Sequence, residues 1–338
     1  MFLKNAWYVA AWSHEIDRSL TQRWIAGEPL VLYRTEAGKV AVLEDRCPHR
    51  RAALSMGRLI GDTVQCGYHG VTLDCTGACV RIPGQDNIPP TMRTRSYRVA
   101  EKWQWVWVWL GDPAAADEAL IPDFRWNSEP GWVYTGGMIE VKANYQLLTD
   151  NLLDLTHETY VHAKTIGNNV IVEWPMTHRV EGNDVHVQRI MRNTPPPPLF
   201  AKVRGTNDNI DRWQVIRYQV PANIAIDARA YPAGNEDLSA AMRWFSINSI
   251  TPVDERTSHY YWTITRCFAL DDTELTELIH KSIYNTFMED VVVLEAQQIR
   301  IETDRADRKE VGIKPDAGFI AARRILDRLI QEENSACN

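Results

Sequence analysis

Cys47-Pro48-His49 and Cys66-Gly67-Tyr68-His69 decide how this chain is read: C-x-H, sixteen intervening residues, then C-x-x-H. Each half offers one thiol and one imidazole, which suits a [2Fe–2S] cluster with two Cys on one iron and two His on the other. Neutral imidazole in place of anionic thiolate makes such a cluster less negative and easier to reduce, so it accepts electrons from a low-potential donor and passes them on. Gly67 and Gly70 flank the second pair, where a loop must fold tightly and offer backbone N–H groups to sulfur. Structural zinc uses the same ligand types. Zinc fingers, however, commonly pair Cys with Cys and His with His at wider separations, whereas each pair here is mixed. With four ligands already supplied, Cys75 and Cys79 read as small buried residues or free thiols, and extra ligation stays open.

The surrounding sequence sets the domain plan. A chain of 338 residues, 45% hydrophobic and 24% charged, has the apolar mass for two cores. From residue 5 to 110, short runs rich in Val, Tyr and Trp are separated by turns such as Glu36-Ala37-Gly38 and Thr76-Gly77, the pattern of a small antiparallel β domain with few helices. Trp103, Trp105, Trp107 and Trp109 alternate with Gln104, Val106 and Val108, which predicts four indoles on one face of one strand. Gly111-Asp112-Pro113 stops that strand, and Ala114 to Pro130 reads as a connection. The expected domains are therefore 1–115 and 116–338. Beyond the connection the pattern predicts a helix from about Tyr145 to Tyr160, strands between 170 and 265, and helices over Asp272–Ile301 and Asp316–Glu333, an α+β arrangement. Pro195-Pro196-Pro197-Pro198 predicts an extended loop.

Charge and hydropathy exclude some partners. A formal net charge of −7 with no long basic run argues against nucleic acid and anionic membranes. No apolar segment long enough for a secretory signal follows Met1 to Trp7, so the cytoplasm is the expected location. The most apolar run, Trp103 to Leu110, is too short to span a bilayer. Cys occurs at 47, 66, 75, 79, 267 and 337, and in a reducing compartment the clustered ones suit metal better than disulfides.

A second constellation lies in Asp150-Asn151-Leu152-Leu153-Asp154-Leu155-Thr156-His157-Glu158-Thr159-Tyr160-Val161-His162. On a helix, Asn151, Asp154 and His157 or Glu158 share one flank, whereas His157 and His162 diverge by about 140°. Their convergence on one metal requires a π-type turn or a helix end between them. A cluster that delivers electrons needs a terminal site that reduces O2, and two His with one carboxylate leave open positions on Fe(II) for it. In the run Phe287 to Glu295, the residues Phe287, Val291 and Leu294 form the inward stripe. Asp290 borders that stripe and is the expected acid. Glu289 falls nearly opposite and is expected in solvent; Glu295 is the fallback.

These residues resemble the Rieske non-haem iron oxygenases of the vanillate O-demethylase type. The likeness runs through Asn5-Ala6-Trp7-Tyr8-Val9-Ala10, Cys47-Pro48-His49-Arg50, Tyr68-His69-Gly70, Pro83-Gly84-Gln85, Asp150 to His157 and Glu289-Asp290. It implies an all-β Rieske domain followed by a helix-grip, START-like catalytic domain, in a head-to-tail homotrimer where the cluster of one subunit reduces the iron of its neighbour. Asp154 would bridge a cluster His to His157; His157, His162 and Asp290 would hold the mononuclear iron, with Asn151 close by. Electrons would come from NAD(P)H through a separate flavin and iron–sulfur reductase. Arg51 and Val71-Thr72 depart from the pattern after the two cluster loops, where a reductase would dock.

The expected reaction is O-demethylation of a methoxylated aromatic acid such as vanillate: O2 hydroxylates the methyl carbon, and the hemiacetal collapses to a phenol and formaldehyde. Hydroxylation of an arene-bound methyl, as on a toluenesulfonate, and ring dihydroxylation are the alternatives; a Rieske electron carrier without oxygenase activity is the alternative of another class. Arg229, Arg243 and Arg266 are candidates to hold the substrate carboxylate, and Asn248 a substrate hydroxyl.

Overall fold

The computed structural model describes residues 1–235, 241–305 and 307–336; Cys337 lies outside them. It divides into Met1–Ile121 with Thr251–Asp254, and Pro122–Ile250 with Glu255–Asn338. Among the described residues, no helix is long and apolar enough to cross a membrane.

The first unit is built of short antiparallel strands and single 3-10 turns. Its strands are β1 (Trp7–Trp12), β2 (Thr21–Ile25), β3 (Glu28–Arg34), β4 (Val40–Glu44), β5 (Arg58–Ile60), β6 (Thr63–Gln65), β7 (Thr72–Leu73), β8 (Cys79–Arg81), β9 (Arg98–Lys102) and β10 (Trp105–Trp109). They form three sheets, β1-β10-β9, β2-β3-β4 and β5-β6-β7-β8. Strand β10 is central in its sheet, and Val106 and Val108 are as deeply buried as Trp105, Trp107 and Trp109. Its alternation is thus a change of residue type, with both faces covered. Trp103 is not on that strand. With Gln104 it makes the β9–β10 turn at φ of 58° and 70°, the positive values that fit a tight hairpin to the twist of its strands.

The second unit is α+β. Its strands β11 (Val133–Val141), β12 (Met176–Glu181), β13 (Asp184–Thr194), β14 (Ile210–Gln219), β15 (Asn223–Pro232), β16 (Met242–Pro252) and β17 (Ser258–Arg266) make one sheet in the order β11-β17-β16-β15-β14-β13-β12. The helices are α1 (Tyr145–Leu153), α2 (Glu158–Val161), α3 (Pro198–Arg204), α4 (Thr273–Glu302) and α5 (Ala317–Ala336). Asp272 caps α4 by accepting from the Leu275 N–H at 2.8 Å. The stripe Phe287, Val291, Leu294 is buried, and Phe287 meets the rings of Tyr260 and Trp262 on β17 at centroid separations of 5.0 and 5.4 Å. The proline run is extended only through Pro197. Pro198 opens α3, where a missing N–H costs nothing because the first turn has no partner for it.

Two expectations for the histidine segment change here. Helix α1 ends at Leu153, and Asp154 is extended at φ −99°, ψ 106°, so Asp154 and His157 do not continue the flank of Asn151. The buried Arg189 on β13 holds the break, its Nη1 donating to the Leu155 carbonyl at 2.7 Å.

Candidate functional site

His157 and His162 occupy the two ends of the single-turn helix α2, as its N-cap and C-cap. This is the helix end that the five-residue spacing demands, and it needs no π turn: past His162 the chain turns away, with Gly167 N–H donating to the His162 carbonyl at 3.0 Å. Asp290 enters from α4, only 6% exposed. The three side chains converge. Nε2 of His157 and Nε2 of His162 are 3.2 Å apart, and Asp290 Oδ1 lies 3.6 Å from the first and 3.1 Å from the second.

Hydrogen bonds on the far side of each ring set what faces inward. His157 donates its Nδ1–H to the backbone carbonyl of Asp154, and His162 donates its Nδ1–H to Glu289 Oε2 at 2.8 Å. Each Nε2 then carries a lone pair. Two lone pairs and a carboxylate oxygen, crowded into a triangle with edges of 3.1 to 3.6 Å, repel one another unless a cation lies between them. Burial opposes charge on His162, yet the hydrogen bonds and charges of Asp290 and Glu289 outweigh it and raise the imidazole pKa. The triangle has the right size for a metal, because ligands at about 2.1 Å and at right angles stand about 3 Å apart. Two His and one carboxylate on one side of an ion leave its other positions open, the donor set of non-haem iron.

Neighbouring residues complete the picture. Asn151 Nδ2 donates to Asp290 Oδ1 at 3.0 Å, leaving Oδ1 oriented at the triangle. Asp154 acts on His157 through its main chain, while its carboxylate accepts from the Thr156 N–H at 2.7 Å. Glu289 is only partly solvated: it also braces His162 and accepts from Thr165 Oγ1 at 3.1 Å. The fallback Glu295 is elsewhere, accepting from the Lys142 N–H at 3.0 Å.

The triangle opens onto a cavity walled by Phe200, Ile226, Trp244, Ile283 and Phe287, with Glu158, Arg212 and Gln214 as a polar stretch. Arg229 and Arg243 do not line it; both fork onto Asp227, Arg243 Nη2 at 2.7 Å. Arg266 is spent on the carbonyls of Phe268, Ala269 and Asp272, and Asn248 Oδ1 accepts from the Tyr260 hydroxyl at 2.7 Å. Arg212 and Gln214 line the cavity without any motif in the sequence to mark them. Their only sequence signal is alternation on one strand face, which many buried strands share.

In the first unit, the two cluster loops have the same hydrogen-bonding pattern. Cys47 N–H donates to the Ala52 carbonyl and accepts, at its own carbonyl, the Arg51 N–H, each at 2.8 Å. Cys66 does the same with Val71 and Gly70, at 2.8 and 3.0 Å. The matching residues Arg51 and Gly70 both have positive φ, 59° and 72°. Cys47 and Cys66 are 2% exposed within an apolar cluster, and burial pushes the Cys47 thiol up. His49 and His69 are exposed, their rings 4.6 Å apart. Two sealed thiols and two paired surface imidazoles on matched loops fit a [2Fe–2S] group. A Cβ at Gly67 would sit 2.9 Å from the Met56 carbonyl oxygen, so the loop closes too tightly for any side chain there. Cys75 and Cys79 are free thiols, the first exposed.

Comparison with known proteins follows the same division. A family model for the Rieske [2Fe-2S] domain matches residues 6–98, and one for the vanillate O-demethylase oxygenase C-terminal domain matches residues 141–332. The chain is 39% identical to a vanillate O-demethylase oxygenase subunit of Pseudomonas sp. (strain HR199 / DSM 7063), over 100% of this chain and 98% of that one. It is also 39% identical to the iron-sulfur subunit of a toluene-4-sulfonate monooxygenase system of Comamonas testosteroni, over 99% of both. A crystal structure of dicamba monooxygenase with non-heme iron and dicamba superposes with a TM-score of 0.87 at 32% identity, covering 99% of each chain.

Proposed function

The chain belongs to the Rieske non-haem iron oxygenases of the vanillate O-demethylase type, the terminal oxygenase components of multi-component systems, and on that premise we propose that it O-demethylates a methoxylated aromatic acid, vanillate-like, to the phenol and formaldehyde. The observation that carries the reading is the meeting of an open-sided two-histidine, one-carboxylate triangle with a largely apolar cavity.

In this reading His157, His162 and Asp290 hold the mononuclear iron, and Cys47, His49, Cys66 and His69 hold the cluster. When bound, the two groups supply stepwise reducing power and the activation of O2. The chain does the rest. Asn151 and Glu289 fix the orientation of Asp290 and His162, and the walls at Ile226, Trp244 and Phe287 exclude water and seat the ring with its methoxy group toward the triangle. Electrons arrive from NAD(P)H through a flavin and iron–sulfur reductase, the assembly is a homotrimer, and the location is the cytoplasm.

The test is holoenzyme with a suitable reductase, NADH, O2 and vanillate. Formaldehyde equal to phenol formed supports the proposal; consumption of NADH and vanillate without formaldehyde overturns it. Equal identity to the toluenesulfonate system favours methyl hydroxylation as the second reading, for which a hydroxymethyl product from 4-toluenesulfonate is the signature. A His157→Ala variant that kept full function would leave only an electron carrier.

A further inference from the structure

The polar stretch of the cavity is made by residues that no metal ligand requires. Arg212 and Gln214 are two apart on β14, so their side chains leave the same face, and they are 3% and 2% exposed. Across from them on β15 stand Ala230 and Ala228, small enough to leave space beside the polar groups. Glu158, between the two histidines in sequence, accepts from Arg212 Nη2 at 3.3 Å and from Gln214 Nε2 at 2.5 Å. Arg212 Nη1 donates to the Ile166 carbonyl at 3.3 Å, and its guanidinium lies over the Phe200 ring at 4.7 Å.

Two atoms of this cluster are left over. Arg212 Nε–H and Gln214 Oε1 are buried without a hydrogen-bond partner. A cluster of cavity-lining residues that leaves one donor and one acceptor without a partner carries a desolvation penalty that a ligand can relieve. The stranded pair is complementary to oxygen-bearing groups. A carboxylate or phenolic oxygen accepts from Arg212, and a phenolic hydroxyl hydrogen satisfies Gln214.

We infer that Arg212 and Gln214 are the specificity-determining anchor for an oxygen-bearing substituent of the aromatic substrate, carboxylate or phenol, with Glu158 as the positioning residue that holds both. The inference rests on reading this cavity as the substrate's. It replaces Arg229, Arg243, Arg266 and Asn248 as the origin of substrate recognition.

Calorimetric titration of the anaerobic holoenzyme with four probes tests it: vanillate, 3-methoxybenzoate, 2-methoxyphenol and methoxybenzene carry both groups, the carboxylate alone, the hydroxyl alone, and neither. Wild type is expected to bind methoxybenzene about 10-fold to 100-fold more weakly than its best oxygen-bearing probe. Gln214→Leu should weaken the two hydroxyl-bearing probes and spare 3-methoxybenzoate. The double variant Glu158→Gln with Arg212→Met removes both buried charges together, and it should bring all four probes to within about threefold of one another. The ranking of 3-methoxybenzoate against 2-methoxyphenol in wild type tells which oxygen Arg212 takes. Unchanged ratios in both variants, or wild-type binding of methoxybenzene as tight as that of vanillate, overturn the inference. Formaldehyde release is scored separately: its absence with the affinity ratios intact defeats the demethylase reading and leaves the anchor standing.

Discussion

Glu289 braces His162 from behind: its Oε2 accepts the imidazole Nδ1–H at 2.8 Å, while the next residue on the same helix, Asp290, faces the other ring nitrogen at 3.1 Å. Consecutive helical carboxylates thus straddle one ring. Glu289→Ala should lower Fe(II) affinity about 10-fold to 100-fold, measured by anaerobic Fe(II) titration of apoprotein whose cluster absorbance is intact. Glu289→Gln keeps an acceptor for Nδ1–H and should lose less; equal affinity in wild type and both variants would refute the bracing role.

Asp290→Ala removes the one anionic corner of the triangle and leaves the Asn151 amide without its acceptor. Iron content should fall to that of the cluster alone, with the Rieske electron paramagnetic resonance signal unchanged and formaldehyde formation abolished. Retention of a third iron per chain would place the metal elsewhere.

Arg51 occupies the left-handed region that its counterpart Gly70 adopts freely. Such a conformation costs a residue with a Cβ about 1–2 kcal/mol, partly offset by the greater unfolded-state entropy of glycine. Arg51→Gly should therefore stabilise the first unit by about 0.5–1 kcal/mol, read as a raised thermal midpoint of the holoprotein. Gly70→Ala should do the reverse, since its Cβ would also sit 2.9 Å from Pro83 Cγ.

Asp227 gives the second unit an acid limit. Burial alone would push its carboxyl up, but the hydrogen bonds and charges of Arg243 and Arg229 win and hold it below the usual carboxylate range. A depressed folded pKa contributes stability that is complete above the unfolded value near 4 and disappears as pH falls through the folded one. Asp227→Ala should cost about 1–2 kcal/mol at pH 7, the figure being reduced because both guanidiniums are partly wet. The difference from wild type in urea midpoints should shrink as pH falls below the usual carboxylate range and through the depressed folded value. A difference that persisted there would assign the loss to packing.

The candidate metal ligands were legible because their chemistry restricts residue type and spacing: mixed Cys and His pairs, two histidines near a helix end, and an acid bordering an apolar stripe. The α+β plan of the second unit followed from its periodicity. Legibility ended where a role depends on residues distant in sequence. Glu289 reads as solvated on a helical wheel and is braced only because the loop after α2 returns to α4. Glu158, Arg212 and Gln214 form a cluster only once β14 lies beside the histidine turn. Trp103 keeps the alternation of its neighbours yet sits in a hairpin, because two positive φ values leave no trace in a hydropathy pattern.

On the proposed ligand set, the contrast between sealed thiols and bare imidazoles makes the first unit a one-sided electrode. Tunnelling falls off steeply with each ångström of intervening matter, so His49 and His69 offer the short path and the sulfur side is insulated by Leu43, Leu54 and Val64. Current should enter and leave through the same small window, which forces donor and acceptor to take turns at it.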